Sequence, residues 1–250
     1  MKKLAIFLIA GGVLFAACKD LEKLAADGQK ALEQAGGTAG TTPLSNADAI
    51  KGLKEALTQG TNRSTSKASQ TDGFFKNPAI FIPFPPAAQK VKDNAMKIGM
   101  SAQVTKFEET LNRAAEEATK SAAPIFINAI TSMTIGDGLG ILRGTDTAAT
   151  NYLRQKCTDS LMVKFRPVVA NATKKVELTK HWTPLANAYN KIPMVTPINP
   201  DLDGYVCERA INGLFKLIGD EEKKIRTDPL QRTTDILKKV FGSKENPHNK

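Results

Sequence analysis

The sequence predicts an all-α protein: a single irregular multi-helix bundle with one extended segment rich in phenylalanine and proline. Apolar residues recur at intervals of three and four over long stretches, which is the period of a helix with one buried face. Convincing strand alternation is scarce, because the runs 80–84 and 168–169 are short and prolines interrupt the first. The periodic region extends from Leu44 to Gly242, roughly 200 residues, which suffices for one well-buried core.

The clearest helical period lies between Val104 and Met133. Apolar positions from Val104 to Ile125 share one face, and four of them are alanines, which leaves room for another backbone to come close. Pro124 has no N–H and predicts a kink or a fresh helix start. The opposite face is predicted to be charged and solvated, and its members are Glu108, Glu109, Arg113, Glu116, Glu117 and Lys120.

The other helices follow from start signals and breakers. Ser45 precedes Asp48 by three residues, and Thr134 precedes Asp137 in the same way, so each pair is close to a capping box. Glycine and proline separate the remaining periodic stretches. These signals predict helices over residues 147–165, 167–176, 183–192, 202–227 and 229–241, followed by a disordered polar tail over residues 243–250.

Residues 1–17 have the features of a secretory signal peptide. Two lysines precede an apolar run, which ends at Phe15 and leads into the small-residue cleavage site Ala16-Ala17-Cys18. The pattern resembles a bacterial lipoprotein leader, in which Cys18 would be lipidated, although such leaders usually carry leucine at the position of Phe15. Ordinary secretion with cleavage near Ala17 is the alternative. We expect a bacterial cell-envelope protein on the periplasmic or outer-membrane face, lipid-anchored at Cys18 through a flexible tether over residues 18–43.

The charge of the chain is basic. The net charge of +10 falls to +8 when residues 1–17 are removed, because two lysines and no acid are lost (10 − 2 = 8). This balance favours contact with an anionic surface such as a membrane or a cell-wall polymer, although a solvated basic surface is the simpler interpretation. Nucleic acid is not an expected partner, because basic and aromatic residues are not interleaved as in single-strand binders.

Several motifs resemble one family over residues 44–242. The matching stretches include Leu44-Ser45-Asn46-Ala47-Asp48, Gly73-Phe74-Phe75, Asn77-Pro78-Ala79-Ile80-Phe81-Ile82-Pro83, Asn112-Arg113-Ala114-Ala115-Glu116, Tyr189-Asn190-Lys191-Ile192-Pro193 and Asn199-Pro200-Asp201-Leu202-Asp203. Together they resemble the bacterial envelope family catalogued as domain of unknown function 4197 (DUF4197), and the resemblance implies an exported, mainly helical domain with no established activity. No catalytic residue can be transferred from it.

Residues 73–86, which we call the strap, contain four phenylalanines and four prolines. The prolines exclude both an ordinary helix and a central strand. The strap either closes the core, which is the commoner fate of such apolar runs, or borders a groove for an apolar or lipid-like ligand. In the second case we expect the groove to be lined by Phe74, Phe75, Phe81, Phe84, His181 and Trp182.

Metal and cofactor sites are not predicted. His181 is the only histidine between residues 44 and 242, so we do not expect a histidine-rich zinc site. Residues 199–204 open like a calcium loop, but its twelfth position is Ala210 instead of glutamate, so we predict that Asp201 caps a helix. Cys157 and Cys207 allow a disulfide in an oxidising compartment, and two small buried thiols are the alternative.

Two functions remain open from the sequence. The first is an exported lipoprotein that acts as a non-enzymatic binding or envelope-maintenance protein, with an apolar ligand or an envelope protein as partner and the membrane reached through the lipid anchor. The second is a hydrolase of envelope polymers that uses paired carboxylates such as those of the helix between Val104 and Met133. We favour the first, because the carboxylates are predicted to lie on a solvated helix face.

Overall fold

The computed structural model of the protein describes residues 44–175 and 182–249. This part of the chain holds nine α-helices and three short 3-10 helices, with no β-strand, so the predicted all-α bundle is confirmed. The α-helices are α1 (Asn46–Ala68), α2 (Gln89–Lys97), α3 (Ser101–Thr119), α4 (Ala122–Thr131), α5 (Ile135–Leu142), α6 (Ala148–Thr173), α7 (Trp182–Tyr189), α8 (Leu202–Thr227) and α9 (Asp235–Phe241). The 3-10 helices are Pro86–Ala88, Pro229–Gln231 and Pro247–Asn249. The predicted leader, Cys18 and the tether lie outside the described residues.

The core lies where α1, α3, α6 and α8 meet. Helix α8 packs along α6 and α1, and α3 packs along α6. Each of the four helices contributes a stripe of buried apolar side chains at helical spacing, as the periodicity predicts. Fully or almost fully buried members are Leu53, Leu57, Phe107, Leu111, Leu153, Leu161, Leu214 and Phe215. Within the described residues no single helix is long and apolar enough to cross a membrane, and α4 and α5 meet that test only as a pair bent by 104°.

Two prolines have different effects on the helices. Helix α3 ends at Thr119 and α4 begins at Ala122, so the restart predicted from Pro124 is confirmed; Pro124 lies in the first turn, where backbone N–H groups have no partner within the helix. The break predicted before Pro167 is wrong, because α6 continues through it to Thr173. Pro167 is exposed, so the carbonyl of Val163, which loses its usual donor, faces water while Phe165 and Val169 stay buried.

The end of the chain also differs from the prediction. We predicted a disordered tail from residue 243, but Asn246 is fully buried and Pro247–Asn249 forms a 3-10 helix. The Asn246 amide donates to the carbonyls of Arg226 and Phe241 at 3.0 and 2.7 Å. Carbonyls near helix ends lack donors within the helix, so this polar segment supplies donors to the ends of α8 and α9.

Candidate functional site

The strap packs across the bundle and closes the core. Phe74, Ile82 and Phe84 are buried. Phe75 and Phe81 are half-buried, and their ring centroids lie 6.1 Å apart. The strap therefore takes the first of the two predicted arrangements, in which its apolar side chains fill the core.

The aromatic residue predicted to stand opposite the strap is also buried. Trp182 begins α7, and its ring lies 5.8 Å from the ring of Phe84 and 5.6 Å from that of Phe107 on α3. Its indole N–H donates to the carbonyl of Asn199 at 3.1 Å. His181 lies outside the described residues. The groove predicted between Phe84 and Trp182 is thus filled by these rings, and edge-to-face and tilted packing of this kind stabilises a core.

The backbone of the strap is held by side chains of α3. Glu116 accepts hydrogen bonds from the N–H groups of Phe74 and Phe75 at 3.1 and 3.2 Å. Its second carboxylate oxygen accepts from Arg113 at 2.8 Å, and Arg113 also donates to Asp72 at 2.7 Å. Glu116 therefore joins the beginning of the strap to α3.

Two further side chains on the same face of α3 continue this arrangement. Asn112 forms a reciprocal pair with Ile82, accepting from its N–H and donating to its carbonyl, both at 2.8 Å. Glu108 accepts from the N–H of Phe84 at 3.0 Å and pairs with Lys92 at 2.7 Å. Side chains four residues apart on a helix thus satisfy an extended backbone that has no partner strand.

The predicted solvated acidic face is therefore only partly correct. Glu117 is solvated and pairs with Lys120, whereas Glu116 is buried, with only 4% of its surface exposed. A helical wheel separates apolar from polar positions but does not show which polar positions another segment will cover. The spacing of Glu108, Asn112 and Glu116 was the available signal, because it matches the needs of a proline-rich segment with free N–H groups.

A buried ion pair joins three helices. Glu222 on α8 accepts from the N–H groups of Ala149 and Thr150 at 3.0 and 2.8 Å, in the first turn of α6. Arg226 lies one turn further along α8, donates to Glu222 at 2.9 Å, and donates to the carbonyls at the end of α5. An acid at a helix start and a base at a helix end both complement the helix dipole. The charged run over residues 220–224 is typical of a solvated helix face, so the sequence pattern did not reveal the buried role of Glu222, and it gave no signal for Arg226.

An open groove lies between α4 and α6, and we call it the α4–α6 groove. It has a volume of about 750 Å³. Helix α4 contributes a half-buried apolar floor, and α6 contributes side chains that recur at helical spacing. The lining residues are Ile125, Asn128, Ala129, Ser132, Thr134, Asp137, Tyr152, Lys156, Asp159, Ser160, Val163 and Lys164.

The polar groups of this groove fall into two sets. Asp137 is committed to the capping box of α5, and hydrogen bonds from Thr134 lower its pKa. Lys156 lies 5.7 Å from the ring centroid of Tyr152, within cation–π range, and burial raises the pKa of Tyr152. The side chains of the second set have no hydrogen-bond or ion-pair partner within the described residues, and they are Asn128, Asp159, Ser160 and Lys164.

A second depression lies between α2 and the end of α7 and measures about 450 Å³. Its wall is mainly apolar, and Val91, Ala95, Ile98 and Met100 face Tyr189 across it. No residue of α2 is fully buried. These two open surfaces differ in character, since the α4–α6 groove has mixed polarity and the second depression is apolar with basic neighbours.

Comparison with known protein families shows which family the chain belongs to. A family described as "Protein of unknown function (DUF4197)" matches residues 43–242. The chain belongs to the DUF4197 family. No curated protein and no solved structure matches it. The family resemblance predicted from the motifs is confirmed, and it adds no activity to the geometry.

The remaining predicted sites of the DUF4197 domain are structural. Cys157 and Cys207 are free, buried thiols, so the disulfide is absent from this structure and the alternative is the observed state; burial raises their pKa values to about 11 and about 12. Asp201 caps α8, accepting from the N–H of Gly204 at 2.9 Å, and pairs with Arg166. No group of three or more metal-ligating side chains occurs among the described residues of the domain.

Proposed function

We propose that this DUF4197 protein is a non-catalytic binding protein of the bacterial cell envelope, and that the α4–α6 groove receives a polypeptide segment of a partner protein. The observation that carries the proposal is the set of unpartnered polar side chains in the groove, Asn128, Asp159, Ser160 and Lys164, above an apolar floor. Polar groups placed over an apolar surface fix the orientation of a ligand, while the floor supplies affinity.

The shape of the groove favours a peptide segment over a small molecule. Val163 lines the groove and is 72% exposed, and Ile135, next to the lining residue Thr134, is also exposed. A drug-sized molecule is usually enclosed over most of its surface, whereas an open trough between helices suits an amphipathic helix or an extended segment.

The chemistry of the described acids supports recognition over catalysis. Glu108 and Glu116 hold the strap, and Glu222 caps α6, so these carboxylates have structural partners. In the groove, Asp137 has a lowered pKa and Tyr152 a raised one, so one is held ionised and the other protonated. General acid–base catalysis needs groups whose pKa values approach the working pH, and these shifts move both groups away from it.

The envelope location in this proposal rests on the leader predicted for residues 1–17 and on Cys18. An exported binding protein meets peptide segments of other envelope proteins, and the net charge of +8 that remains when residues 1–17 are removed favours acidic ones (10 − 2 = 8). The hydrolase alternative has no supporting arrangement among the described residues.

Site-specific photocrosslinking in the native envelope tests the proposal. A benzophenone amino acid at Val163 in the groove is expected to give one dominant protein adduct. The same group at Leu230, which is 86% exposed and lies outside the groove, is the matched control and is expected to give none. Exchange of the two free charges by Asp159→Lys with Lys164→Glu keeps the net charge and is expected to lower the adduct roughly tenfold.

Four outcomes decide this test. A dominant adduct at Val163 that the charge exchange removes supports the proposal, and its mass spectrum identifies the partner. Equal adducts at Val163 and Leu230, or no adduct at either position, would overturn it. An adduct at Val163 that the charge exchange leaves unchanged would also overturn it, because the unpartnered charges would then have no role in recognition.

A further inference from the structure

Among the described residues seven large apolar side chains are exposed, and four of them belong to the end of α2 and to the turn after α7. Residues of α2 and of the turn after it, together with Tyr189 at the end of α7, line one depression. Met96 and Ile98 lie at the end of α2, and Ile98 is 74% exposed. Ile192 and Met194 follow α7, and the N–H of Ile192 bonds back to the carbonyl of Tyr189 in the wall of the α2–α7 depression. We call this surface the α2–α7 patch.

The patch carries positive charge without matching acids. Lys90, Lys97 and Lys191 have no ion-pair or hydrogen-bond partner among the described residues. Asp93 is the only acid between residues 89 and 100, and the chain from residue 182 to residue 200 contains none. Asp93 accepts a hydrogen bond from the Gln89 amide instead of pairing with a lysine.

Met194 has an unfavourable backbone conformation, and its side chain is not buried against any of the described residues. Its φ is 64°, in the left-handed region, and its side chain is completely exposed. A bulky residue rarely adopts this conformation, and residues in such strained conformations recur at sites of ligand contact. Gly99 follows Ile98 and has a φ of 85°, and no atom lies within 4 Å of the position that a Cβ would take. The turn is therefore open, and the apolar side chain of Ile98 beside it is exposed to solvent.

We propose that the α2–α7 patch docks on the surface of a bilayer that contains anionic lipids. Apolar side chains flanked by unpaired lysines are the composition that inserts at the lipid headgroup boundary. Charge complementarity selects an anionic surface over an apolar protein face. This surface contains none of the lining residues of the α4–α6 groove, so the inference does not depend on peptide binding in that groove.

The predicted tether is long enough for the patch to reach the bilayer. Residues 18–43 have an extended reach of roughly 90 Å, whereas a domain of about 200 residues has a radius of gyration of about 16 Å. A chain anchored at Cys18 can therefore bring any face of the domain to the bilayer. One lipid anchor and one basic, apolar patch together give the two signals that stable membrane association requires.

Vesicle co-sedimentation of the chain from residue 18, with Cys18→Ser to remove the lipid, tests the patch alone. We expect binding to vesicles of equal parts phosphatidylglycerol and phosphatidylcholine, and little binding to phosphatidylcholine. Ile98→Asp is expected to lower the partition coefficient roughly tenfold, and Lys90→Gln and Lys97→Gln about fivefold each. Leu230→Asp is the matched control, because Leu230 is an apolar residue outside the patch and is 86% exposed, against 74% for Ile98, and it should leave binding unchanged.

Circular dichroism of each variant separates misfolding from lost docking, since the altered side chains are exposed and should leave the helix content unchanged. Binding that Ile98→Asp and Leu230→Asp reduce equally would overturn the proposal, as would equal binding to both kinds of vesicle. Absence of vesicle binding together with a dimer in analytical ultracentrifugation, lost in Ile98→Asp, would overturn it and assign the patch to a second copy of the chain.

Discussion

Removal of the Glu116 carboxylate should destabilise the domain through the strap. In Glu116→Ala the N–H groups of Phe74 and Phe75 lose their acceptor. A buried donor without a partner costs about 1–3 kcal/mol. Phe74 is fully buried and pays this cost in full, whereas Phe75 is half-buried and water reaches its N–H in part. We therefore expect a loss of about 2–4 kcal/mol, a large share of the roughly 5–15 kcal/mol that stabilises a typical domain.

The assay is urea unfolding followed by tryptophan fluorescence. Trp182 is the single tryptophan of the sequence, and its ring contacts the ring of Phe84 in the strap. A loosened strap would expose the indole and shift its emission to longer wavelength before the bundle unfolds. The control is Glu117→Ala, because the neighbouring Glu117 side chain is 57% exposed and its ion pair with Lys120 is worth about 0–1 kcal/mol.

Equal unfolding midpoints for Glu116→Ala and Glu117→Ala would refute the role assigned to Glu116. Glu116→Gln adds a second check, since an amide oxygen still accepts from the strap but carries no charge. The unfolding midpoint of Glu116→Gln should therefore lie between those of Glu116→Ala and the unaltered protein. Faster amide hydrogen exchange at Phe74 in Glu116→Ala, with unchanged exchange at the centre of α8, would locate the defect in the strap.

Three further predictions concern the buried ion pair, the two buried thiols and two glycines. Glu222→Ala should cost about 3–5 kcal/mol in urea unfolding, because it leaves the buried arginine of α8 without its counter-charge. Cys157 and Cys207 should resist a thiol reagent at pH 8 in the native state. Because their pKa values are raised from 9.0 in the folded protein, the free energy of unfolding should fall as the pH rises from about 9 towards 11 to 12. A free energy of unfolding that stays constant over this pH range would contradict the prediction. Gly213→Ala should lower the stability of the protein by about 1–3 kcal/mol, because the added Cβ would lie 3.0 Å from the strap. Gly140→Ala should instead stabilise α5 by about 0.5–1 kcal/mol, because no atom lies within 4 Å of the added Cβ. The reverse order of melting temperatures would contradict the packing.

The sequence predicts well those parts of the fold that one helix specifies by itself. The stripe from Val104 to Ile125, the restart at Pro124 and the caps at Ser45 and Thr134 all depend on residues within a few positions of each other. Such local signals need no knowledge of the neighbours. The same signals place Asp201 at the start of α8.

Errors arose where a distant segment decides the outcome. Pro167 is tolerated within α6 because its face of the helix is open to solvent, and Asn246 is buried because two helix ends need donors. Glu116 leaves the solvated face because the strap, some 40 residues earlier, lies over it. The α4–α6 groove likewise depends on how two helices pack, and single-helix periodicity does not contain that information.

The distribution of polar groups separates structure from function in this domain. The buried charged side chains Glu116, Glu222 and Arg226 each bind backbone groups, so their presence in the core is explained by folding alone. The exposed Ile98 and Val163 cannot be explained in this way, because each exposes an apolar side chain to water with little return in core burial. Each of the two lies beside lysines that have no partner among the described residues, and this coincidence of unburied apolar area with unpaired charge is what contact with another molecule would resolve.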